Sequence, residues 1–167
     1  MLKLVIMQDD SLKLWIKTLP YSRLVCSTSF KDRMKYVFWW LYTPFHPFAR
    51  DVLIYLGILR HSSRQDYLIG TLAPGQSVRE FVSFLITQGY GNHFIAWRDD
   101  GELLSLRYLD GFERQYHLRI FEDGEVRGHY EFTPESYPIR HFKAIGQEDR
   151  RDEFLRLLGD RIIPLKQ

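Results

Sequence analysis

The sequence predicts an α+β fold: an antiparallel sheet that includes a four-stranded meander over about residues 93–132, with helices packed mainly on one face. Three observations carry this expectation. Two loops share one turn chemistry, Asp99-Asp100-Gly101 before Glu102-Leu103 and Glu122-Asp123-Gly124 before Glu125-Val126. Asp-Gly between runs of aromatic and branched residues is a strong hairpin signal. Helix start signals fall outside the meander, the clearest at Ser77, where Glu80 stands three residues on and completes a capping box. Finally, 167 residues that are 45% hydrophobic and 26% charged can bury a sizeable core, so 1–167 reads as a single domain. The polar stretch His61 to Gln65 marks the place for a subdomain break, near 61–65.

Taken in order, Leu2 to Gln8 and Leu12 to Leu19 read as strands about an Asp9-Asp10-Ser11 turn, the second because Leu12, Leu14 and Ile16 alternate with Lys13, Trp15 and Lys17. Ser22 to Thr28 suits a third strand. Ser29 caps a helix from Phe30 to about Tyr42, ended by Thr43-Pro44. Pro47 fits the first turn of another, to about Arg60, with Val52, Tyr55, Leu56 and Leu59 on one face. These two read first as core helices, with His46 in the loop between them. Asp66 to Ala73 is a strand. A helix follows from Ser77, with Val78, Phe81, Val82 and Leu85 as its apolar stripe and Gly89 as its stop. His93 to Arg98 pairs with Glu102 to Tyr108, placing His93 opposite Arg107 and Ile95 opposite Ser105. Ile139 to Phe142 suits a return across the sheet. A last helix runs from about Glu148 to Leu158, and Ile162 to Pro164 is a short tail.

The hairpin from Arg114 to Thr133 is the most informative stretch. A three-residue loop with Gly124 left-handed puts Ile120 opposite Val126, Leu118 opposite Gly128 and Tyr116 opposite Tyr130, a consistent apolar face. The other face then carries Arg119 opposite Arg127, His117 opposite His129 and Gln115 opposite Glu131. A one-residue slip would exchange the faces, so a buried apolar face selects this register. Like charges directly opposite one another destabilise a strand pair. The plainest explanation for the two arginines is a solvated face screened by acids such as Glu125 and Glu131. The leading functional explanation is a ligand-binding surface of His117, Arg119, Arg127 and His129, because paired guanidiniums suit a phosphate or carboxylate. The rival is an enzyme in which His117, His129 and Glu131 form an acid–base or metal site, the two-histidine, one-carboxylate set. Adjacent arginines weigh against a cation there.

Several chemistries are excluded at the motif level: a cysteine-pair zinc site, H-E-x-x-H, G-x-S-x-G, Walker and EF-hand patterns are all missing. The single cysteine, Cys26, forbids an intrachain disulfide. With an N-terminus that lacks a signal-peptide pattern, it suggests a cytoplasmic protein. A net charge of +2 gives nucleic acid little support. The expected function is therefore a small binding or regulatory domain holding an anionic small molecule or protein partner. A further alternative is a structural subunit that forms a homodimer through 36–59, where YVFWWLYTPFHPFA carries neither acid nor Lys nor Arg. That run is too short to span a bilayer.

Overall fold

The computed structural model describes residues 10–22, 29–57, 67–93, 99–142 and 144–165. Their sheet has six strands: β1 (Leu68–Leu72), β2 (Gly91–Asn92), β3 (Glu102–Asp110), β4 (Arg114–Phe121), β5 (Glu125–Phe132) and β6 (Ile162–Pro164). Their order is β2-β3-β4-β5-β1-β6, and every neighbouring pair is antiparallel. The helices are α1 (Asp10–Lys17), α2 (Phe30–Tyr42), α3 (His46–Tyr55), α4 (Val78–Thr87), α5 (Pro138–Phe142) and α6 (Arg151–Leu158). The α+β class and the antiparallel meander are as the sequence predicts.

The apolar alternation of β3, β4 and β5 builds the core. Leu104, Leu106, Leu118, Ile120 and Val126 share one cluster with Val78, Phe81, Val82 and Leu85 of α4, Phe154 and Leu158 of α6, and Leu12 and Ile16 of α1. The β4–β5 register is the predicted one, from Ile120 opposite Val126 to Gln115 opposite Glu131. Gly124 has φ +83°, the left-handed conformation this loop needs. The α4 start is also as predicted: Ser77 Oγ accepts from the Glu80 amide at 3.2 Å, and Glu80 reaches back to the Ser77 amide at 3.2 Å.

Several expectations are corrected. Leu12 to Leu19 is not a strand. Residues 10–17 form α1, because Leu12 and Ile16 are also one helical turn apart and reach the core together, a pairing that strand alternation matches equally well. Asn92 pairs with Leu106 and Gly91 with Arg107, so β2 sits two residues away from the expected register and the His93 amide meets Ser105 O instead. A shift of two leaves the faces unchanged. Ile139 to Phe142 lies within α5, and Ile162 to Pro164 is edge strand β6 paired with β1. His46 begins α3. The expected strand at 2–8, all but Ser22 of the one expected over 22–28, all but His93 of the partner strand expected over 93–98, and the break at 61–65 lie outside the described residues.

The helices do not all share one face. While α1, α4 and α6 join the apolar core, His141 of α5 reaches Glu131 on the polar face. Nor are α2 and α3 core helices. In α2 only Trp39 is buried, while Phe30, Met34, Val37, Phe38, Trp40 and Leu41 are exposed, as are Phe48, Val52, Tyr55 and Leu56 of α3 and its end. Among the described residues no helix is long and apolar enough to cross a membrane.

Candidate metal centre

Strand alternation sends Ser105 and Arg107 of β3 and the odd-numbered residues of β4 and β5 to the face opposite the apolar core. The expected solvated surface is not there. Arg119, Arg127, His129 and Glu131 are all buried. The segment after β5 folds back over them and contributes Glu135, His141 and Gln147.

Glu131 is the hub. Its Oε1 lies 3.1 Å from His117 Nδ1 and accepts from Gln115 Nε2 at 2.8 Å. Its Oε2 lies 3.1 Å from His129 Nε2 and 3.3 Å from His141 Nδ1, and accepts from Gln147 Nε2 at 3.1 Å. Burial alone would raise this carboxyl. The charges of His141 and His129, with hydrogen bonds from His117 and His129, more than reverse that and hold it well below the usual carboxylate range. His117 also hydrogen-bonds Ser105 through Nε2. Burial depresses His117 to about 4 despite Glu131, so its ring is neutral at pH 7. At His141 burial acts downward too, but Glu131 outweighs it and the pKa is raised.

The predicted residues therefore divide. His117, His129 and Glu131 come together: one donor atom from each lies within 4.8 Å of the others. The arginines stand apart and are engaged by carboxylates. Arg119 Nε donates to Glu102 at 3.0 Å, and its Nη2 reaches both Glu102 and Asp99 at 2.5 Å. Arg127 donates to Glu125 at 2.7 Å. Both guanidiniums also lie over the ring of Phe121, at 5.2 and 5.5 Å from its centre, which accounts for two like charges on facing strands. The anion reading drew on these guanidiniums, whose hydrogen bonds here go to acids of the chain itself.

Sequence reasoning did not foresee four participants. Arg107, opposite His117, binds Glu135 through two nitrogens at 3.0 and 2.8 Å and Gln115 at 3.2 Å. His141 and Gln147 come from the segment after the meander, and no local pattern marks them. His93 packs edge-on against His117, with ring centres 5.5 Å apart, and against His141 at 6.5 Å. It is buried, and among the described residues neither of its ring nitrogens has a hydrogen-bond partner. Alternation had put His93 on the right face. What it lacked was any sign that the face would be covered.

A second feature lies on the apolar side. A cleft of about 200 Å³ is lined by Gln88, Tyr90, Tyr108, Tyr116, Glu153, Phe154 and Leu157. Tyr108, Tyr116 and Tyr130 run across β3, β4 and β5 in register. Arg150 sits over Tyr130 at 3.7 Å and donates to the Tyr116 hydroxyl at 3.0 Å.

No protein-family model matches the chain, and comparison with curated proteins and with solved structures likewise gives no match.

Proposed function

We propose that the protein is a metal-binding domain whose centre is formed by His117 Nδ1, His129 Nε2 and the Glu131 carboxylate. One observation carries this reading: two imidazoles and a carboxylate place their donor atoms within 4.8 Å of one another in a buried setting. This donor set suits iron(II) or zinc in three-protein-ligand sites. The outer contacts are of the kind such sites use. Ser105 holds the second nitrogen of His117, and Gln115 and Gln147 hold the carboxylate. The arginines oppose a cation less than the bare sequence suggests, because Arg107, Arg119 and Arg127 are each paired with acids. The acids that engage these guanidiniums, Asp99, Glu102, Glu125 and Glu135, together with Glu131 outnumber them five to three.

The test is titration of the metal-free protein with Co²⁺ and Zn²⁺, followed by visible absorption and calorimetry. The expected result is one metal per chain, with affinity reduced about 10- to 100-fold or more by His129→Ala or Glu131→Gln. Uptake by the wild type no tighter than by the His129→Ala variant would overturn the reading.

A second reading concerns assembly. Phe30, Met34, Val37 and Leu41 are exposed at helix-seam spacing along α2, and Phe48, Val52 and Tyr55 repeat it along α3. Contiguous exposed apolar area of this kind marks an interface. The occupant we propose is a second copy of the chain. Sedimentation should show a dimer that Val37→Glu with Leu41→Glu converts to monomer. A monomeric wild type at high concentration would remove this reading.

A further inference from the structure

Resting on the metal reading, we propose that His93 faces the open coordination position of the centre and hydrogen-bonds a small oxygen-bearing ligand held there, a metal-bound water or hydroxide in the resting protein and a substrate oxygen in use. Three protein donors leave zinc or iron at least one position for an outside ligand. His93 is the group suited to meet that ligand. Its ring is buried, lies edge-on beside both His117 and His141, and among the described residues has no partner at either nitrogen.

A buried imidazole with two unused nitrogens is costly, and such groups in folded proteins answer to a water, an ion or a function. The placement is not loose. The His93 amide donates to Ser105 O at 3.1 Å, and the Ser105 side chain holds His117. One β3 residue therefore positions both the candidate ligand His117 and the free ring. A neutral imidazole offers one donor and one acceptor. By a change of tautomer the nitrogen that meets the ligand can accept from a bound water or donate to a bound oxyanion. His141 does not fill this role, since its Nδ1 is directed at Phe132 O, 3.0 Å away, and at Glu131. Its place is to position the carboxylate.

The experiment uses the full chain loaded with Co²⁺ and azide as the probe ligand. Azide should perturb the visible bands of the wild-type Co²⁺ protein. His93→Ala should still take up one Co²⁺ per chain yet bind azide about tenfold more weakly, the scale of one lost hydrogen bond. His93→Gln, which keeps a donor and an acceptor, should recover most of the azide affinity. Equal azide affinity in wild type and His93→Ala would overturn the inference and leave His93 a packing residue. Loss of Co²⁺ uptake in both His93→Ala and His93→Gln would overturn it differently, by making the His93 ring necessary for holding the metal itself. Failure of the wild type to take up Co²⁺ removes the centre itself, and this inference with it.

Discussion

Arg107 clasps Glu135 through both terminal nitrogens, at 3.0 and 2.8 Å, with each side chain only 4% exposed. The pair is coupled to the candidate centre. Arg107 Nη1 also donates to Gln115, and Gln115 donates to Glu131. Removing one partner of a buried pair leaves the other charged and unsolvated. Glu135→Ala should therefore cost about 3–5 kcal/mol, whereas replacing both residues with apolar groups, Arg107→Met with Glu135→Leu, should recover much of that. Urea unfolding of the single and double variants checks this. A double variant no more stable than the single would show that the pair is needed for more than charge balance.

How far the sequence reveals this arrangement depends on the range of the interaction. The β4–β5 hairpin was legible because Asp123-Gly124 allows few loops and only one of them puts Val126 and Tyr130 on the same face as Ile120, Leu118 and Tyr116. The α4 cap was legible because Ser77 and Glu80 interact within one turn. From the hairpin register alone, His117, His129 and Glu131 become neighbours. Lost to sequence reading was everything that depends on a cover. Glu125 stands among the acids that the sequence offers to screen the arginines, and it does hold Arg127; the partners of Arg119, Glu102 and Asp99, come from another turn, and Phe121 carries no sequence sign of lying under both guanidiniums. Leu12 and Ile16 show the other limit, since a spacing of four fits both a helix face and a strand face.

The metal-free protein should lose stability steeply on mild acidification. Burial keeps His117 at about 4 and His93 well below the ordinary 6.5, with Arg107 and the other rings acting in the same direction on His93 and Glu131 against. Below pH 6.5 the unfolded chain takes up protons that the folded chain refuses. Stability is thus fully present above 6.5 and falls toward pH 4, by up to about 1.4 kcal/mol per pH unit for each ring. Glu131, held well below 4.5, adds stability present above that value and lost as pH falls further. His141 has the opposite sign: its raised pKa adds stability that is full below 6.5 and is lost as pH rises through the folded value. Unfolding midpoints at pH 7.5, 6.5 and 5 should trace this. His93→Gln should flatten the limb between 6.5 and 5; an unchanged slope would sink the assignment of His93 as a proton-refusing ring.

At the start of α4 the expected effect is smaller and local. Ser77→Ala removes the acceptor for the Glu80 amide and unties the Glu80 carboxylate, which Ser77 holds below its ordinary range. The expected cost is about 0.5–2 kcal/mol. Ser77→Asp, which keeps an acceptor, should cost less than Ser77→Ala. Thermal melts of the two variants decide it, and equal losses would show that the cap geometry is not what stabilises this end.

Gly128 stands between His129 and Arg127 on β5, opposite Leu118, and its absent side chain is a packing requirement. A Cβ there would lie 2.8 Å from Ile69 Cδ1, 2.8 Å from Leu118 Cδ2 and 3.0 Å from Phe154 Cζ. None of the three can withdraw freely, because each is at most 1% exposed. Gly128→Ala should therefore overpack the core and cost about 1–3 kcal/mol. For a chain of this size that lowers Tm by roughly 2–4 °C per kcal/mol. Because the strain would push β5 away from α6, it would also displace the next residue, His129, from Glu131. Ile69→Val supplies the control. It deletes the very methyl that the new Cβ would strike, and alone it should cost about 0.5–1.5 kcal/mol. Combined with Gly128→Ala, the total should be smaller than the sum of the two, since neighbours that share one space are not additive. Strict additivity in the double variant would show that the alanine is accommodated by movement of β5, not by contact with Ile69.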